Sequence, residues 1–218
     1  MPEKIYGTTL GSGTSSGVPV IGCQCPTCLS GDSRDKRLRS SIMIECSGKH
    51  IIIDTSSDFR AQMLRHDVRN IDAILYTHHH FDHISGFDDI RALNYLTGEP
   101  MDCYATEQTI GHLQRVFSYA FNPVVPPGGG VPVTRVHIIT PANEFIAAGI
   151  PVTPIPLKHG ALDVMGFRIG NIAYCTDCNA IPEESFPLLR NLDILIIDAL
   201  RYEKHPTHFT LDEAISVS

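Results

Sequence analysis

The chain has 218 residues, 43% of them hydrophobic and 19% charged, with a formal net charge of −7. That balance is expected of a globular protein with a sizeable core and speaks against a surface that coats long nucleic acids. No apolar run reaches the roughly 18 residues of a membrane-crossing helix and no leader pattern opens Met1-Pro2-Glu3-Lys4-Ile5, so a cytoplasmic protein is expected, whose seven cysteines are thiols or metal ligands rather than disulfides.

Residues 4–10 are predicted as a first strand, followed by the tight loop Gly11-Ser12-Gly13-Thr14-Ser15-Ser16-Gly17-Val18-Pro19. No Gly-Lys-Thr follows, which favours a structural turn or a loop bordering an active site over a nucleotide cradle. Cys23-Gln24-Cys25-Pro26-Thr27-Cys28 then puts three thiols in six residues, the spacing of a structural zinc site. Its fourth ligand stays open between Cys175, Cys178 and one of the loose histidines. Residues 34–39 read as a charged connector with a solvated basic face. Residues 41–46 and 50–53 are predicted to form a hairpin across Ser47-Gly48-Lys49, with a helix over 58–66 that Asp54 could cap.

Residues 71–76 are apolar, β-favouring and short, so they read as a buried strand. Directly after it comes Thr77-His78-His79-His80-Phe81-Asp82-His83, four histidines and an aspartate in six positions. Alternate residues of an extended segment face the same way, so His78 and His80 can share one target. Asp82 and His83, further on, can face a second point. Imidazoles beside a carboxylate suit zinc, iron or manganese. The bland alternative is a solvated polar loop.

Helices are predicted over 86–96 and 107–120, and residues 121–132, rich in proline and glycine, as a surface segment. Strands are predicted over 133–139, 144–147, 150–157, 164–174 and, buried, 192–198. His159 and Asp177 stand at the ends of two of these. Thr210 with Glu213 forms a helix-start signature just after His208.

His78-x-His80-x-Asp82-His83 resembles the signature of the metallo-β-lactamase-fold hydrolases. The loop from Gly11 to Pro19, leading into Gly22-Cys23-x-Cys25-x-x-Cys28, resembles the branch that contains the phosphoribosyl cyclic phosphate phosphodiesterases. The resemblance implies an α/β fold, an αβ/βα four-layer sandwich of two mixed β-sheets flanked by helices, over a single domain 1–218. It implies two divalent ions (Zn, Mn or Fe), one held by His78, His80 and His159, the other by Asp82 and His83, with Asp177 between them. It further implies a structural zinc at Cys23, Cys25 and Cys28, an orienting rather than ligating Asp54, and catalytic roles for Asp82 on the attacking water and His208 on the leaving oxygen. The family closes its second site with one more histidine on a later strand, for which His205 and His208 fall too early. The chain is therefore expected to be a piece lacking its C-terminal strand and helix.

The function expected is a metal-dependent phosphodiesterase acting on a small cyclic or nucleotide-like phosphorylated substrate, with a homodimer left open. Rival readings are a thioesterase of the glyoxalase II type, whose Thr-His-His-His-x-Asp-His motif this loop also matches, and a non-catalytic zinc-binding or redox-sensing module. A tRNA-processing nuclease is disfavoured by the acidic balance. β-Lactam hydrolysis is disfavoured by the absent leader and by aspartate, not cysteine, among the ligands.

Overall fold

Three consecutive isoleucines explain the layering. In the computed structural model, which describes residues 4–122, 130–141 and 143–217, Ile51, Ile52 and Ile53 are all fully buried. They lie on β3 (Lys49–Ile53), and side chains of a strand alternate between its faces. Ile52 faces a core shared with the helices, whereas Ile51 and Ile53 face a second sheet. The neighbouring β4 (Ala73–Leu75) divides in the same way, Ile74 outward and Ala73 and Leu75 inward. Strands covered on both sides read as unbroken apolar runs, which is why this pair was legible.

The first sheet has six strands in the order β1 (Ile5–Gly11), β2 (Ser41–Cys46), β3, β4, β5 (Met101–Ala105), β6 (Thr134–Ile138). Pairing is antiparallel from β1 to β3 and parallel from β3 to β6. The second has five strands in the order β11 (Ile194–Ile197), β10 (Ile172–Cys175), β9 (Leu162–Ile169), β8 (Ile150–His159), β7 (Phe145–Ala147). Met165, Phe167, Ile169 and Ile172 meet Ile42, Ile44, Ile51 and Ile53 between the sheets. A short α1 (Pro26–Leu29) carries part of the cysteine cluster. The outer face of the first sheet is covered by residues of α2 (Phe59–Arg65), α3 (Phe81–Ile84), α4 (Ile90–Thr97) and α5 (Glu107–Val116), with α6 (Ser118–Phe121) alongside. Ala214 of α7 (Leu211–Val217) packs with Ile155, Leu157 and Val164 on the outer face of the second. The result is the four-layer sandwich, two mixed sheets flanked by helices.

Several expectations are corrected. The strand predicted over 164–174 is two strands, because Gly170 adopts φ +57° and turns β9 into β10. The helix predicted over 86–96 opens with a 3-10 turn over Ser85–Asp89 and becomes α-helical only at Ile90. The helix over 107–120 breaks at Phe117 (φ −107°, ψ 41°) into α5 and α6. β11 is not fully buried: Ile194 is 47% exposed, as befits a strand at the sheet edge. Arg39 is no solvated charge, since it bonds the Asp58 carboxylate and, through Nε, the Ser15 carbonyl at 2.7 Å. Much of the segment predicted over 121–132 lies outside the described residues. Among those described, no helix is long and apolar enough to cross a membrane.

Candidate metal centre

The residues of the histidine–aspartate centre, and Asp54 behind them, follow strand ends at one edge of the sandwich. Asp54 follows β3, the histidine loop follows β4, His159 closes β8, and Asp177 follows β10. A backbone bond from Met165 N–H to the Thr77 carbonyl (3.0 Å) ties the two sheets together beside the site. Gly86 lets the chain close behind it. A Cβ there would lie 2.3 Å from the Ser56 carbonyl oxygen and 2.5 Å from Phe59 Cβ.

The side chains expected to share an ion do come together. His78, His80, His159 and Asp177 form one set and Asp82, His83 and Asp177 another, the donor atoms of each set within 4.8 Å of one another. Asp177 belongs to both. The alternation argument accounts for His79, which turns away and stacks on His112 with ring centroids 3.7 Å apart. Asp82 and His83 lie in the first turn of α3, hence their separate set.

The hydrogen bonds determine which nitrogen each imidazole presents. Thr77 Oγ1 donates to Asp54 Oδ2 (2.8 Å), so it can only accept from His78 Nδ1–H (2.9 Å). His159 Nδ1 lies 2.7 Å from the Thr207 carbonyl, which only accepts. His83 Nδ1 lies 2.7 Å from Asp54 Oδ2. All three rings are thus anchored through Nδ1 and leave Nε2 to the site, the arrangement that orients metal-binding histidines. His78 Nε2 is buried with no hydrogen-bond partner. Such an orphaned acceptor is costly unless something binds it, and a divalent cation fits the donor set around it.

Electrostatics agree. Burial, reinforced by the neighbouring His83, drives His78 far below the ordinary histidine range, which keeps its lone pair free. Burial opposes charge on His83 as well, but Asp177 and Asp54 outweigh it and raise His83 well above that range. Burial works to raise Asp177, yet the charge and hydrogen bond of His83 hold its carboxyl far below the usual carboxylate range.

Asp54, fully buried at φ +65°, accepts from Thr77 N–H (2.8 Å), Thr77 Oγ1 and His83 Nδ1. It therefore orients the loop and caps no helix; Asp58 stands before α2. The sulfurs of Cys23, Cys25 and Cys28 also lie within 4.8 Å of one another. Backbone N–H groups of Val20 and Cys28 point at two of them, as thiolates favour. Cys175 and Cys178 do not join that set; both are buried in the core with Ala214 of α7.

His208 falls outside both sets of the centre and joins Asp177 and Asp198. Its Nδ1 lies 2.6 Å from Asp198 Oδ2, and its ring packs 4.7 Å from that of His159. Burial would lower it, but the hydrogen bond and charge of Asp198 raise it above its ordinary value. Sequence reasoning passed over Asp198. Its signal was positional: Asp54, Asp177 and Asp198 each stand one or two residues past a strand. A cavity of about 560 Å³ opens beside Asp177, Asp198 and His208 and runs to Ser12, Thr14 and Ser40.

Comparison with known proteins adds independent findings. Residues 49–218 match the model of the β-lactamase superfamily domain. The crystal structure of a diphosphatase from the PhnP family is 43% identical, with a TM-score of 0.89 over 98% of this chain and 81% of that one. A Porphyromonas gingivalis protein named octanoyltransferase is 39% identical over 208 residues, 94% of this chain and 42% of the relative. A ribonuclease Z of Bradyrhizobium diazoefficiens is 25% identical over 137 residues, 61% of this chain and 44% of the relative. The chain thus spans less than half the length of these curated relatives.

Proposed function

The chain belongs to the β-lactamase superfamily and, within it, to the PhnP family, and on that premise we propose that it is a metal-dependent hydrolase of small phosphodiesters. The observation that carries this reading is the pair of donor sets joined at Asp177, with His78 Nε2 buried and unpartnered between neighbouring imidazoles. In this reading His78, His80 and His159 would hold one cation and Asp82 and His83 the other, with Asp177 available to either. Such cations supply Lewis acidity that makes water a nucleophile near neutral pH and offsets phosphoryl charge. Zinc, manganese and iron all suit the donors.

The chain's own side chains do the rest. Asp82 orients the attacking water and takes its proton. His208 delivers a proton to the departing oxygen. The adjoining cavity has room for a substrate larger than the reacting group, and its hydroxyl-bearing wall suits a sugar-like portion. The three cysteines would hold a separate structural zinc. The similarity to a diphosphatase and the position of His208 favour phosphorus chemistry over thioester hydrolysis. The name octanoyltransferase is carried by a protein more than twice as long as the matched stretch, and it lends no support to acyl transfer here.

The test uses bis-p-nitrophenyl phosphate and S-lactoylglutathione, with metal content read by elemental analysis. The wild-type protein should cleave the diester only with divalent metal bound. His80→Ala should lose bound metal and about a thousandfold in turnover, about 4 kcal/mol of barrier. Undiminished turnover in metal-free buffer, or turnover of the thioester alone, would overturn the proposal.

A further inference from the structure

Past Asp177 the chain runs between two segments that carry different parts of the centre. Asn179 N–H donates to the Lys158 carbonyl (2.8 Å) and Lys158 N–H to the Ala180 carbonyl (3.0 Å), which lays this turn along the end of β8. On its other side the Cys178 carbonyl accepts from Phe209 N–H (2.9 Å), in the loop that leads into α7. The backbone thereby places the Asn179 side chain between the two. Its Oδ1 accepts from Gly160 N–H (2.7 Å) and its Nδ2 donates to the Pro206 carbonyl (3.1 Å). A peptide N–H can only donate and a carbonyl can only accept, so the two ends of the carboxamide are not interchangeable.

The segments so joined meet at one histidine. His159 precedes Gly160, and its Nδ1 is held by the carbonyl of Thr207, the residue after Pro206 (2.7 Å). Gly160, at φ +62°, permits the approach, since a Cβ there would lie 2.9 Å from Thr207 Cγ2. The bond that orients His159 therefore spans residues 48 positions apart, and it is only as firm as the contact between their loops. We propose that Asn179 is a positioning residue for His159: its carboxamide clamps the turn bearing that ring to the loop whose Thr207 carbonyl orients it. This rests on the reading above, in which His159 would hold a cation with His78 and His80. The clamp acts by removing freedom from a ring that must converge with two others on one point. The same loop brings His205 and His208 to the cavity wall.

The test exchanges cobalt(II) into the protein against a chelator. Cobalt held by imidazole and carboxylate absorbs in a different region from cobalt held by thiolates, so each site is read on its own. Asn179→Ala should weaken uptake at the histidine centre about tenfold and alter its bands, with the thiolate bands unchanged. Asn179→Asp keeps the acceptor for Gly160 N–H but sets an oxygen against the Pro206 carbonyl, so it should not restore the wild-type spectrum. Ser185→Ala removes a buried hydroxyl that donates to the Pro156 carbonyl of the same strand (2.7 Å); it controls for lost stability alone and should keep the native spectrum. Native affinity in Asn179→Ala, a native spectrum in Asn179→Asp, or equal losses in Asn179→Ala and Ser185→Ala overturns the clamp and leaves the hydrolase reading standing. A wild-type protein that takes up cobalt only at the thiolates overturns both. Cobalt at the histidine centre without turnover of bis-p-nitrophenyl phosphate overturns the hydrolase reading, and the clamp is then decided by the spectra of the variants.

Discussion

Asp54 shows how much one buried carboxylate can organise. Its two oxygens receive the Thr77 backbone, the Thr77 hydroxyl and His83 Nδ1, and Thr77 in turn sets the tautomer of His78. Removing it strands a buried imidazole and two donors at once. Asp54→Ala is expected to cost about 3–5 kcal/mol of stability, the range for breaking a buried pair from one side. It should also weaken metal binding by about 10–100-fold, because ligand orientation is lost. Urea denaturation followed by circular dichroism, with a chelator titration alongside, checks both. A variant of native stability with native metal affinity would show that the Asp54 network is dispensable.

Among the elements, the segments around the site tolerate change very unevenly, and two glycines separate the cases. Gly86 lies where the 3-10 turn crosses under Ser56 and Phe59, and its missing Cβ is what permits the contact. Gly86→Ala should destabilise by about 1–3 kcal/mol, as overpacking does. Gly111 sits inside α5, where an added Cβ would meet nothing within 4 Å. Gly111→Ala should therefore raise stability by about 0.5–1 kcal/mol through helix propensity alone. Thermal melts of the two variants must move in opposite directions. The start of α7 is also well determined, since Thr210 N–H reaches Glu213 Oε2 (2.9 Å) and Glu213 N–H reaches Thr210 Oγ1 (3.2 Å). That reciprocal cap fixes the stretch just after His208.

On the scale of the whole molecule, the two sheets contribute different candidate ligands to one centre. His78, His80, Asp82 and His83 come from the first, His159 and Asp177 from the second. Their relative position depends on the packing between them, where Phe167 lies 1% exposed against the first sheet's inner face. Phe167→Ala should cost about 3–5 kcal/mol. It should also lower metal affinity at the histidine centre, while any metal taken up by the cysteine cluster, built within one short stretch, should be retained. Elemental analysis after partial chelation distinguishes the two sites. Equal loss from both would mean that the sheets do not govern the centre separately.

The local chemistry of this protein could be read from residue order alone. Ile51 to Ile53, the histidine loop, the cysteine triplet and the Thr210–Glu213 cap each act over a few residues, so strand alternation, ligand spacing and capping rules reach them. The family resemblance carried the reading further, to His159 and Asp177. What order could not decide was anything set by distant partners. Whether residues 164–174 made one strand or two turned on Gly170, and the exposure of β11 on its place at a sheet edge. Arg39 looked solvated until the fold brought Asp58 and Ser15 to it. Asp198 was an ordinary strand-end acid until the backbone of Cys178 and the ring of His208 met on one of its oxygens. Those contacts join residues 10 to 24 positions apart, and only the packed sheets bring them within reach.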